Sequence, residues 1–185
     1  MRSDVRSPLL RVTLDGVELP GALSADIDNN NHFAADRFRV QFAASVVPQG
    51  ALHVPGARVE ISIGLGDVWL NCIVGVADTV NLDPVSGIID VKGRDLSSQL
   101  IETQTDETFA NRTSSEIATL FGTRHGLVVI ADPTTTPIGR YYQSEHDRVT
   151  LSQFAKAMTE WDLLAFLAAR EGFDLFMDGP ILRFG

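Results

Sequence analysis

The chain has 185 residues, 44% hydrophobic and 21% charged, the balance of a globular protein, with enough length for one large or two small domains that each bury a core. Its formal net charge is −9, spread as 8 basic against 12 acidic residues up to Leu100 and 7 against 12 beyond it. No cluster of Lys and Arg stands out, which argues against sequence-specific nucleic acid binding, and no run approaches the roughly eighteen apolar residues of a membrane span.

The opening MRSDVRSPLL is polar and lacks the apolar core of a signal peptide. In LLRVTLDGVELP, Val12 and Leu14 share a face, Asp15-Gly16 breaks the run, and Val17 and Leu19 resume it. Asp-Gly between alternating apolar residues predicts a tight hairpin, because both turn positions want positive φ. RFRVQFAA puts Phe38, Val40 and Phe42 on one face and Arg37, Arg39 and Gln41 on the other, a strand with one buried side. ARVEISIGLGDVWLNCIVGVADTVNLD repeats the device. Val59, Ile61 and Ile63 alternate, Gly64 to Asp67 turn, and Val68, Leu70, Cys72, Val74 and Val76 return. GIIDVKG adds a strand with Ile89 and Val91 facing one way. Asn29 to Arg37 and Val46 to Ala57, rich in Asn, Pro and Gly, read as loops. About five to seven short strands with glycine turns predict an antiparallel β-barrel or sandwich.

Beyond residue 94 to 105 the period changes. RTSSEIATLFGTRHG carries Thr113 three residues before Glu116, the spacing of a capping box. Ile117, Leu120, Phe121 and Arg124 follow at helical spacing, and Gly126 is a C-terminal stop. TLSQFAKAM predicts a short helix with Leu151, Phe154 and Met158 on one side. TEWDLLAFLAAREG predicts a longer one, capped by Thr159 to Asp162, packed by Leu163, Leu164, Phe166 and Leu167, and ended by Gly172. FDLFMDGPILRF closes the chain as a hairpin around Asp178-Gly179.

Candidate chemistry is sparse. Gly93-Arg94-Asp95 could hold an Arg/Asp pair, but Asp95 also stands where a helix N-cap belongs, with Leu96, Leu100 and Ile101 behind it, and Gly93 would free the turn out of the strand. His32, His53, His125 and His146 show no metal-ligand spacing, and Cys72, the single cysteine, cannot make an internal disulfide. Arg124-His125 fits the negative end of its helix, and Glu160 and Asp162 fit the positive end of theirs. Gly64 to Asp67 lacks the lysine and the following helix of a phosphate loop. Pro133 to Arg148 is an aromatic-bearing connector or an exposed binding loop. No residue is assigned as catalytic, cofactor-binding or metal-ligating, and neither cofactor nor metal is expected.

Taken together, the strand ending VKGRDLSSQLIE, the helix NRTSSEIATLFGTRHGL and the segment TEWDLLAFLAAREGFDLFMDGPILRF resemble the baseplate hub of contractile phage tails. This is the late control protein D family, related to the hub portion of type VI secretion spike proteins. The resemblance runs over residues 88 to 184. It implies a tube-like β-barrel over residues 1–100 and an inserted α/β domain with a C-terminal hairpin over residues 101–185, joined at Gly93-Arg94-Asp95. The family's second barrel is expected to be absent, since the chain stops at Gly185. The resemblance further implies a structural, non-enzymatic part of the virion tail, assembled in the bacterial cytoplasm. It would bridge tail tube protein and spike protein, and because the family's hub is a trimer, a homo-trimer is expected. Two other classes stay open. A peptidoglycan-acting tail hydrolase would need an acid/base constellation that the sequence does not display, and a stand-alone carbohydrate- or peptide-binding β-module would have to use Gly139 to Gln143.

Overall fold

Alternation in the first half becomes one antiparallel sheet. Its strands are β1 (Leu9–Leu14), β2 (Val17–Glu18), β3 (Ala22–Asp28), β4 (Arg37–Ala43), β5 (Arg58–Leu65), β6 (Val68–Asp83) and β7 (Ile88–Asp95). They lie in the order β2-β1-β5-β6-β7-β4-β3. The structure, a computed structural model, describes residues 8–185 apart from 31–32, 49, 52–55, 66, 108, 110 and 139–157. The chain divides into two compact units, Met1–Leu96 and Ser97–Gly185.

In the first unit, Val12, Phe38, Val40, Phe42, Val59, Ile61, Ile73 and Val91 share the buried core. Asp15 and Gly16 both take positive φ, 50° and 81°, as the expected hairpin turn requires. β3 was not expected: Ala22↔Phe42 is followed by Ser24↔Gln41, so Leu23 is an extra residue that spoils the alternation. The sheet is antiparallel throughout, and β1 and β3 approach one another. Among the described residues no ladder joins β3 to β1 or β2, so the strand order is open at both ends and barrel closure is not seen.

The return strand also departs from expectation. Ile61 pairs with Ile73 but Ser62 pairs with Asn71, which makes Cys72 a bulge. A second bulge sits at Asp78, between Ala77↔Gly93 and Thr79↔Lys92. Each extra residue reverses which parity faces inward. The inner row is therefore not Val68-Leu70-Cys72-Val74-Val76. It runs Val68, Leu70, then Ile73, Gly75 and Ala77, then Val80 and Leu82.

The second unit holds α1 (Ser97–Glu102), β8 (Gln104–Thr105), β9 (Arg112–Thr113), α2 (Ser114–Arg124), β10 (Val128–Ala131), β11 (Pro137–Ile138), β12 (Met158–Thr159), α3 (Glu160–Glu171), β13 (Leu175–Asp178) and β14 (Ile181–Phe184). Both expected capping boxes are present, Thr113 with Glu116 and Thr159 with Asp162, and Gly172 closes α3 at φ 75°. The terminal hairpin β13–β14 accepts β10 in parallel beside β14. Ile117, Phe121, Leu164, Leu167 and Leu182 are fully buried, whereas Leu120 is 38% exposed. Gly122 lets α2 lie close on this sheet: a Cβ there would stand 2.3 Å from Val129 Cγ2.

Two expectations need correction. A boundary after residue 100 would cut α1, which instead groups with the second unit because it packs on α3 and β12. Met158 belongs to β12, paired with Thr105, rather than to a helix; Leu151 and Phe154 lie outside the described residues.

Candidate assembly surfaces

Each residue of the Gly-Arg-Asp triplet has a definite place in the fold. Gly93 lies within β7, and a Cβ there would meet Val76 O at 2.1 Å and Phe38 Cζ at 2.4 Å. The glycine is required by close packing, not by a turn. Arg94 donates through Nε and Nη2 to the two carboxylate oxygens of Asp78, both at 2.7 Å. The bulge residue of β6 is thus one partner of Arg94. Asp95 ends β7, donates its backbone N–H to Asp36 O at 2.9 Å, and leaves Leu96 directly ahead of α1. The exposed face of the same strands carries further pairs: Arg39 donates to Asp90 at 2.6 Å, and Lys92 lies 3.7 Å from Asp90. The Arg39 bond holds the Asp90 carboxyl below the usual carboxylate range, against a smaller opposing effect of burial.

In the second unit three side chains read separately from sequence come together. Glu160, wholly buried, accepts from Arg124 at one carboxylate oxygen and lies 2.6 Å from His125 Nε2 at the other. Arg124 also reaches Glu107 at 2.7 Å. Burial opposes the Arg124 charge, but the Glu107 hydrogen bond and the Glu160 field outweigh it and raise its pKa. At the opposite ends of the same helices, Ser114 Oγ donates to Glu171 at 2.6 Å. The C-terminus of α2 is thereby clipped to the N-terminus of α3, and the N-terminus of α2 to the C-terminus of α3. Each clip puts an acid beside a helix N-terminus, which its dipole favours. A carboxylate with no exposed surface meets no ligand from solvent, so this constellation fits a clamp better than a reaction centre.

The remaining candidates are dispersed. Cys72 is the partly exposed bulge residue, its thiol 3.6 Å from Leu70 O. His32, His53, His146 and the Gly139 to Gln143 segment lie outside the described residues. Among the described residues no three His, Cys, Asp or Glu side chains gather as a metal site, and no helix is long and apolar enough to cross a membrane.

What the first unit offers instead is surface. β6 has 16 residues, against 8 in each of its neighbours β5 and β7, and overhangs the core at both ends. Directly paired residues of an antiparallel ladder share a face. Leu65↔Val68 and Ile63↔Leu70 therefore continue the core-facing row past its covered part, where Ile63 is 40%, Leu65 55%, Leu70 68% and Val68 71% exposed. At the other end Leu82, paired with Ile89, is 59% exposed, and Val85 in the β6–β7 turn is 96% exposed. That turn is firmly built. Asp83 accepts from the Val85 N–H at 2.9 Å and from Ser86 Oγ at 2.6 Å, and the Ser86 bond leads the effects that lower its pKa. Sequence reasoning found the alternation but missed the overhang, since strand length relative to neighbours is a property of the ladder.

No family model and no curated protein matches the chain. Solved structures do. The chain is similar to a tail protein from Neisseria meningitidis, at 17% identity and a TM-score of 0.69, over 97% of this chain and 50% of that one. It is similar to the 43 kDa tail protein of prophage MuSo2 from Shewanella oneidensis, at 22% identity and a TM-score of 0.71, over 96% and 53%. It is also similar to the prophage tail protein gp18 from Listeria monocytogenes, at 12% identity and a TM-score of 0.56, over 95% and 49%. The chain thus spans about half the length of these proteins, and it shares with phage and prophage tail proteins the fold of both its units.

Proposed function

We propose that this chain is a structural component of a phage tail or related contractile injection machine, a baseplate hub part that bridges tail tube and central spike. The observation that carries this reading is the two-ended overhang of β6. Apolar residues that face the core in the middle of a strand lie bare at both of its ends, and exposed apolar patches of this kind mark contact surfaces. One end would serve the tube protein and the other the spike protein. The fold shared with prophage tail proteins supports the class of machine. In this reading the first sheet closes as a tube-like barrel within a trimer, the chain carries out no reaction of its own, and it resides in the virion tail.

The test is binding by purified components from the same genome. Leu70→Asp should weaken capture of one partner and Leu82→Asp capture of the other, each at least tenfold, with the fold unchanged by circular dichroism. If the wild-type chain binds neither tube nor spike protein, the bridging role is wrong.

A further inference from the structure

We propose that copies of this chain join through their second units, the free edge of β10 in one copy pairing antiparallel with the free edge of β13 in the next. The proposal deepens the assembly reading by naming the surface through which a second copy binds.

It rests first on a contrast between the edges of the two units. In the first unit, β3 is guarded by the bulge at Leu23 and by Asp26 and Asp28, and β2 has only two residues. These are the usual devices against stray pairing. In the second unit, β10 reads VVIA with no charge, no proline and no bulge. β13 reads LFMD, its one charge at the end and paired with Arg183 at 3.0 Å. Among the described residues both are edge strands of the three-stranded sheet.

The second support is register. Val128 N–H and Asp132 N–H donate to Pro180 O and Phe184 O, so the even-numbered residues of β10 bond inward to β14. By alternation, Val129 and Ala131 present N–H and C=O to the free edge. Asp174 and Gly185 exchange both of their backbone bonds, so the even-numbered residues of β13 bond to β14. Leu175 and Met177 therefore point outward. An antiparallel ladder that joins Val129 to Met177 and Ala131 to Leu175 satisfies the outward groups of both edges. The same register must also match faces. Val129 and Ala131 lie on the helix-covered side with Leu175 and Met177, while Ile130 meets Phe176 on the open side, where they are 45% and 46% exposed. Hydrogen-bond parity and face parity agree, as the antiparallel relation of β10 and β13 within one sheet requires. Because the two edges differ, the contact is heterologous: it closes into a ring or continues as an open array.

The decisive experiment mixes two blocked chains. Ile130→Lys charges the β10 edge and Phe176→Lys the β13 edge, both at exposed positions that leave the fold intact. By sedimentation, wild type should form trimers or larger arrays, and each variant alone should be monomeric. A mixture should stop at one-to-one dimers, since one intact β10 edge and one intact β13 edge remain. As a second pair, Val129→Pro and Met177→Pro remove the outward N–H groups and should behave alike. A monomeric wild type, a variant that still self-associates, or a mixture that stays monomeric would each overturn the proposal. Capture of tube and spike proteins, read in the same samples, reports on the bridging role separately.

Discussion

Gly93→Ala is the most exacting test of the first unit. The new methyl carbon would stand 2.1 Å from Val76 O and 2.4 Å from Phe38 Cζ, where ordinary contact begins near 3.4 Å. The Phe38 ring could swing away at the expense of the core, but the carbonyl belongs to the neighbouring strand of the ladder. β6 and β7 would have to part by about an ångström beside the Asp78 bulge. Overpacking a core costs about 1–3 kcal/mol, and a weakened ladder bond adds about 1 kcal/mol. The expected loss is thus about 2–4 kcal/mol, or roughly 8–32 °C in the melting of a unit this size. The chain's two tryptophans, Trp69 and Trp161, fall one in each unit. Urea unfolding followed by Trp69 fluorescence in a Trp161→Phe background therefore reads the first unit alone. Adding Phe38→Leu should recover part of the loss and leave the part due to the carbonyl. A Gly93→Ala protein within about 0.5 kcal/mol of its parent would refute the packing account of the triplet.

Leu164→Ala or Leu167→Ala, both at fully buried positions, should each cost about 2–5 kcal/mol by denaturant titration; an unmoved midpoint would place that face of α3 outside the core. Glu160→Ala should cost about 1–3 kcal/mol, because it removes a wholly buried acceptor of Arg124 and His125 and leaves Arg124 to Glu107, and Glu160→Gln should cost less; thermal melts of the two variants rank them. Asp90 titrates below its ordinary value in the fold because Arg39 donates to it. Its stabilisation is therefore complete above about pH 4 and fades as pH falls through the lower folded value. Asp90→Asn should differ from wild type at pH 7 and converge with it in acid, as urea midpoints across pH would show.

Period-2 alternation exposed β1, β4, β5 and β7 in the sequence because none of them carries a bulge residue. β6 was legible as a strand but not in its facing, since a bulge adds a residue without any compositional mark: Cys72 looks like one more inward apolar residue. β3 escaped notice because its bulge at Leu23 breaks the alternation and its acids suit a loop. The helix caps were legible because Thr113 with Glu116 and Thr159 with Asp162 are local. The clamp was not. Arg124 and His125 were rightly matched to the end of α2, and Glu160 to the start of α3, but only the tertiary fold brings those ends together. Gly93 shows the same limit, since a glycine that relieves a clash with Val76 and Phe38 looks in sequence like one that makes a turn.

The two units manage their exposed sheet in opposite ways, and solution conditions should register the difference. The first guards its edges with Asp26, Asp28 and a bulge but leaves apolar side chains bare at both ends of β6. The second covers one face with helices and, among the described residues, leaves both edges open. Neither surface relies on charge: Ile63, Leu65, Val68 and Leu70 are apolar, and the β10 edge offers backbone groups and the apolar Ile130. Every copy meanwhile carries a net charge of −9, so copies repel one another as they approach. Salt shortens that repulsion to about 8 Å at 0.15 M and leaves apolar burial and backbone pairing in place. Self-association should therefore strengthen as salt rises from low to physiological concentration, read as a growing mass by light scattering. A mass that falls over the same range would mean that opposite charges draw the copies together, and both surfaces would then be the wrong ones.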